Sequence, residues 1–119
     1  MSTEYMEVKE KPRAVFLNAL PLGAIGHGSF RLYVIRVSLK EVASYLEMRK
    51  LEVVHYIRHP ATLGLLRKYV PLSPEPNAGL YKYSRGDVLF IVTLKNPTRG
   101  AEVAELTEND VEVYFVTVS

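Results

Sequence analysis

The sequence predicts one α/β domain built on a single mixed β-sheet of about five or six strands flanked by helices. Three observations predict it. Short β-branched and aromatic runs alternate with two segments of helical periodicity. One run, Val88 to Leu94, is apolar at every position but Thr93, as a strand covered on both faces must be. A hydrophobic content of 48% over 119 residues is enough for a real core. The domain spans residues 13–119, and residues 1–12 read as a flexible arm ending at Pro12.

The elements follow in order. RAVFLN, Arg13 to Asn18, is the first strand, and the glycine-rich stretch GAIGHGS, Gly23 to Ser29, is a plain connection with His27 incidental in it. Its spacing matches neither the P-loop nor the dinucleotide fingerprint. FRLYVIRV, Phe30 to Val37, is the second strand. Ser38 and Glu41 have capping-box spacing and open a helix whose buried stripe is Leu39, Val42, Ala43 and Leu46. LEVVHY, Leu51 to Tyr56, is the third strand, with His55 as a core or interface residue. Pro60 suits a first helical position, which makes His59 the N-cap. Leu63, Leu66 and Val70 form the stripe of that second helix, widened by Leu65 and Tyr69, and Gly64 within it suggests close packing.

Pro71 to Gly79 is a proline-rich loop, followed by a short strand GLYKY, Gly79 to Tyr83. Ser84 to Asp87 is a turn in which Arg85 is a solvated charge, and Val88 to Leu94 is the central strand. Pro97 and Gly100 then break all periodicity before the last strand, Val111 to Val118. The order β, β, α, β, α, β, β, β argues for one mixed sheet with helices packed on it.

Several functional classes drop out on composition. With no cysteine, disulfides, thiolate nucleophiles and sulfur-ligated zinc are excluded. The three histidines lack carboxylates at ligand spacing, so neither metal nor cofactor is expected. A net charge of +2 is too small to mark a nucleic-acid binder by itself, and a small anion held by a local cluster fits equally well. No apolar run approaches a membrane span and the N-terminal residues carry no signal-peptide pattern, so a cytoplasmic protein without a membrane partner is expected.

The residue with the strongest chemical signal is His59. The N-cap position usually carries Ser, Thr, Asp or Asn, and histidine is a poor choice for it. It is either an unoptimised structural cap or an imidazole wanted at a helix start. Helix N-termini favour anions, and Arg58 adds a cation beside it. That pairing suits RNA cleavage in which the substrate's own 2′-hydroxyl attacks. The protein then has to hold the attacking oxygen in line, protonate the leaving 5′-oxygen and stabilise the charge on phosphorus. No metal is needed for that.

A first strand ending FLNA, an aromatic-Ile-x-His-x-x-Thr motif opening a helix (Tyr56 to Thr62), and a Gly-Asp before an apolar strand together resemble a family of small proteins first described from crenarchaeal viruses. It includes the viral type III anti-CRISPR ring nucleases and their bacterial relatives. The resemblance covers about residues 13–118. It implies a homodimeric α/β protein that binds cyclic tetra-adenylate across its two-fold axis and cleaves it without metal, damping type III CRISPR signalling.

Carried over residue by residue, His59 matches the catalytic histidine and Thr62 the hydroxyl three positions on. Asn18 and Ala19 match the Asn-Ala near the ligand, although Pro21 stands where the family has a hydroxyl. Arg58 occupies a position often held by glycine. Where the family has an Arg and a Glu after the central strand, this chain has Asn96 and Arg99, with Arg99 expected in a catalytic role. The competing reading is a non-catalytic dimer that binds a cyclic oligonucleotide or nucleic acid, for which eight tyrosines and 15 basic residues would supply stacking and phosphate contacts. A third is an interaction subunit without a ligand.

Overall fold

The computed structural model describes residues 12–26, 28–96 and 105–119. The expected arm up to residue 11, together with His27, Pro97, Arg99 and Gly100, lies outside the described residues. β1 (Arg13–Leu17), β2 (Leu32–Val37), β3 (Glu52–His55), β4 (Val88–Leu94) and β5 (Val111–Val118) make one five-stranded sheet in the order β2-β5-β4-β1-β3. It is mixed, as expected. β1 pairs parallel with β3 on one side and with β4 on the other, whereas β5 pairs antiparallel with β4 and β2.

Both helices, α1 (Leu39–Arg49) and α2 (Pro60–Leu66), pack on one face. Ala14, Phe16, Phe90, Val92 and Val113 line that face and meet Leu39, Val42, Leu63 and Leu66. Phe16 and Phe90 stack at 5.0 Å across the β1–β4 pair, and Tyr45 of α1 sets its edge against Phe90 and Phe115. Each such buried ring contributes about 1.5–3 kcal/mol. The opposite face, carrying Val15, Leu17, Leu89 and Ile91, is covered by loop segments that bring Leu20, Ala24, Tyr81 and Tyr83.

The local signals act as read for α1. Ser38 Oγ accepts from the Glu41 N–H at 3.1 Å, and Glu41 Oε1 accepts from the Ser38 N–H at 2.7 Å. Three expectations need correction. Helix α2 stops at Leu66 instead of running to Val70, because Pro71 disfavours helical geometry at the residue before it. Val70 stays buried through a tight final turn in which its N–H bonds the Leu66 carbonyl at 2.9 Å. Gly64 packs against nothing: a Cβ built there meets no atom within 4 Å.

GLYKY is the third, since it adds no strand to the sheet. Its alternation is real, with Tyr81 and Tyr83 turned inward and Leu80 and Lys82 exposed. Its partner, though, is the face of the sheet, which it covers with side chains, and its one backbone bond to another loop runs from Tyr83 N–H to the Ala24 carbonyl at 2.9 Å.

Asp87 ends the turn after this segment, and its side chain is wholly buried. Arg13 at the start of β1 reaches it through two hydrogen bonds, Nε to Oδ1 at 3.1 Å and Nη2 to Oδ2 at 2.7 Å. The Tyr81 hydroxyl and the Ser84 N–H also donate to Oδ2, at 2.6 and 3.1 Å. Burial, and then the bond to Asp87, push the Tyr81 phenol well above its usual range.

Asp87→Ala leaves Arg13 and Tyr81 without their acceptor and should cost about 3–5 kcal/mol in denaturant unfolding. Gly64→Ala should instead stabilise by about 1 kcal/mol, because the site is open and the residue lies inside a helix. The raised Tyr81 group predicts an alkaline limit. Its folded-state value lies above the unfolded value of about 10, so its contribution is intact below that pH and fades as pH rises further. Thermal melts from pH 9 to 11.5 should therefore fall less steeply for Tyr81→Phe than for the wild type.

Candidate functional site

Because β1, β3 and β4 run parallel, their carboxyl ends share one edge of the sheet. Open α/β sheets place their ligands outside the carboxyl ends of such parallel strands. A cleft of about 490 Å³ opens there on the face opposite the helices. Leu17 and Asn18 from the end of β1, Tyr56 and Arg58 from the end of β3, and Leu80, Tyr81 and Lys82 from the covering segment line it. Among the described residues, no acidic side chain does. The Tyr56 and Tyr81 rings meet edge to face at 5.6 Å and form its aromatic wall.

The link from β3 into α2 is held by His55, which is fully buried. Its Nε2 donates to the Ser73 carbonyl at 2.9 Å, and its Nδ1 accepts from the Ile57 N–H at 3.3 Å. Its own carbonyl accepts from Asn77 N–H at 2.8 Å. One side chain thus fixes the approach to Arg58 and His59 and ties it to the proline-rich loop that leads to Leu80. The sequence reading of His55 as a core residue holds, but its bridging role depends on a loop 18 residues away and has no local signature.

His59 is the N-cap of α2, and it does cap. Its Nδ1 accepts from the Thr62 N–H at 3.3 Å and lies 2.9 Å from Thr62 Oγ1, with Thr62 buried beneath it. A capping Nδ1 keeps its lone pair inward, so the ring proton sits on Nε2. No hydrogen bond among the described residues engages that nitrogen.

The same geometry narrows what the helix start offers an anion. Pro60 has no N–H, the Thr62 N–H goes to His59, and the Leu63 N–H bonds the His59 carbonyl at 3.1 Å. The side-chain charge in the cleft adds to what that end retains.

The structure therefore brings Asn18 and Arg58 to one cleft and puts His59 at the next position along the chain, with Thr62 behind it. Ala19 is exposed next to Asn18 and does not line the cleft. Asn96, just past the end of β4, is exposed at the same sheet edge and also stands outside it. Arg99 lies outside the described residues. Lys82, Tyr56 and Leu80 were missed as site residues. The alternation in GLYKY was visible, but only the fold shows that its outward residues face this cleft.

No family model and no curated protein sequence matches this chain. In structure it is similar to B116 of Sulfolobus turreted icosahedral virus (STIV), with a TM-score of 0.64. Its fold is similar to that of a virus protein. The match covers 87% of this chain and 97% of B116, at 14% sequence identity, so the likeness to B116 is one of fold. Among the described residues, no helix is long and apolar enough to cross a membrane, and no three His, Asp or Glu side chains converge to hold a metal ion.

His59→Ala should lose the cap and about 1 kcal/mol of stability, whereas His59→Asn, which restores a good cap, should unfold at or above the wild-type midpoint. Urea titrations of the two variants check this.

Proposed function

We propose that this protein is a metal-independent ring nuclease that binds cyclic tetra-adenylate and cleaves it, which would damp or counteract type III CRISPR signalling. The observation that carries the reading is the convergence of Asn18 and Arg58 on one acid-free cleft, with His59 next in the chain and its Nε2 unengaged. The sequence resemblance to ring nucleases supports it, and the fold shared with a Sulfolobus virus protein agrees with the viral side of that family.

In this reading Arg58 holds a phosphodiester and offsets the charge that grows on phosphorus. Asn18 orients the neighbouring ribose or phosphate. The substrate's 2′-hydroxyl gives its proton to solvent and attacks phosphorus, the bond to the 5′-oxygen breaks, and the departing oxygen takes the Nε2 proton of His59 in its imidazolium form, whose Nδ1–H donates to Thr62 Oγ1 and which is left as neutral imidazole. Thr62 keeps the ring oriented by holding Nδ1. Arg99 and Asn96 would complete the charge and hydrogen bonding from beyond β4.

A cleft of about 490 Å³ suits a ligand of drug size and is too small for a four-nucleotide ring. The ring therefore calls for two copies, a homodimer whose two-fold axis matches that of the ligand. A light-scattering mass of one chain in the presence of ligand would reject that part.

The test is chromatography of products after incubation with cyclic tetra-adenylate. Linear products ending in a 2′,3′-cyclic phosphate are expected, with no effect of chelator. His59→Asn should cut the rate about 100-fold or more while binding changes little, the scale of losing a general acid. Wild-type cleavage by the asparagine variant, or loss of activity with chelator, would overturn the mechanism. Retention of the ring without cleavage would favour the binding protein instead.

A further inference from the structure

The cleft holds more than the resemblance assigns. Two cations stand at its mouth from different elements, Arg58 after β3 and Lys82 in the covering segment, and both are exposed. Neither forms an ion pair among the described residues, and no carboxylate lines the space between them. Leu17, Tyr56 and Leu80 give the cleft an apolar and aromatic wall. Leu80 is 91% exposed. A large aliphatic side chain at that exposure, lining a concave site, loses surface to water when a flat apolar ligand seats there.

We propose that each cleft is a single-nucleotide subsite, in which a purine base lies against Tyr56 and Leu80 while Arg58 and Lys82 take the phosphates on its two sides. Charge complementarity selects the ligand: unpaired cations without acidic neighbours call for an anion, and the apolar wall between them calls for a ring. A nucleotide carries both in one unit, whereas a free phosphate would leave Leu80 exposed and an apolar peptide would leave both cations uncompensated. A volume of about 490 Å³ accommodates one such unit. That the base is adenine rests on the ring-nuclease reading; the subsite itself does not. Lys82 is then a binding residue, distinct from the proton-transfer chemistry at His59.

The experiment follows the methyl resonances of Leu80 during titration with two probes, cyclic tetra-adenylate and linear tetra-adenylate, while cleavage of the cyclic probe is measured in parallel. The Leu80 methyls should shift with either probe. Lys82→Ala should weaken binding by about tenfold or more, the usual scale for one charged hydrogen bond. Lys82→Arg should restore most of it.

Cleavage by the wild type with unmoved Leu80 methyls, or Lys82→Ala binding at wild-type affinity, overturns the subsite and leaves the enzyme reading intact. Methyl shifts with the linear probe but no cleavage of the ring support the subsite and reject the nuclease. If neither probe shifts the methyls and no cleavage occurs, both fall.

Discussion

A single buried carboxylate organises this fold. Asp87 lies just before β4, receives both donors of Arg13 from the start of β1, and accepts the Tyr81 hydroxyl from the segment that crosses the face of the sheet. A carboxylate in that position is tolerable only while its partners are present, since burial without them costs several kcal/mol. Two neighbouring parallel strands and a strandless loop are thereby made interdependent. The consequence reaches the opposite end of the sheet. Tyr81 is pinned by its hydroxyl at one end, and its ring meets Tyr56 in the cleft wall at the other.

The cleft owes its position to strand direction. Parallel pairing of β1 with both β3 and β4 sends three chain exits to one edge, and Asn18, Arg58, His59 and Asn96 each lie within a few positions of one of those exits, whereas Leu80 and Lys82 come from the covering segment. His55 adds rigidity where it matters. Both of its ring nitrogens are committed, one to the next turn of its own chain and one to the Ser73 carbonyl, so the short link carrying Arg58 and His59 is braced against the loop that leads to the other side of the cleft.

His59 shows how one side chain can cap a helix and leave its other ring nitrogen unengaged by any described residue. An imidazole has two nitrogens, so Nδ1 can hold Thr62 while Nε2 faces away from the cap. Asparagine or serine would cap as well or better, yet neither can give up a proton as a protonated imidazole can. The cap takes one first-turn amide of a seven-residue helix and Pro60 lacks another, so the cationic side chains of the cleft add to what that end offers an anion.

Much of this was written locally. The capping box at Ser38 and Glu41, the proline-led start of α2, the doubly buried run Val88 to Leu94 and the amphipathic stripe of α1 all depend on residues within a few positions of one another, and the sequence alone determined them. It also excluded cysteine chemistry and singled out a histidine beside an arginine. Tertiary structure alone decided the rest. That Asp87 meets Arg13 across 74 residues is invisible to any local pattern, as is the use of GLYKY as a cover for the sheet instead of a strand within it. Periodicity reports which side chains share a face; it cannot say what that face will meet. Strand order and direction supply that, because they bring Asn18, Arg58 and Lys82 to one cleft from three separate parts of the chain.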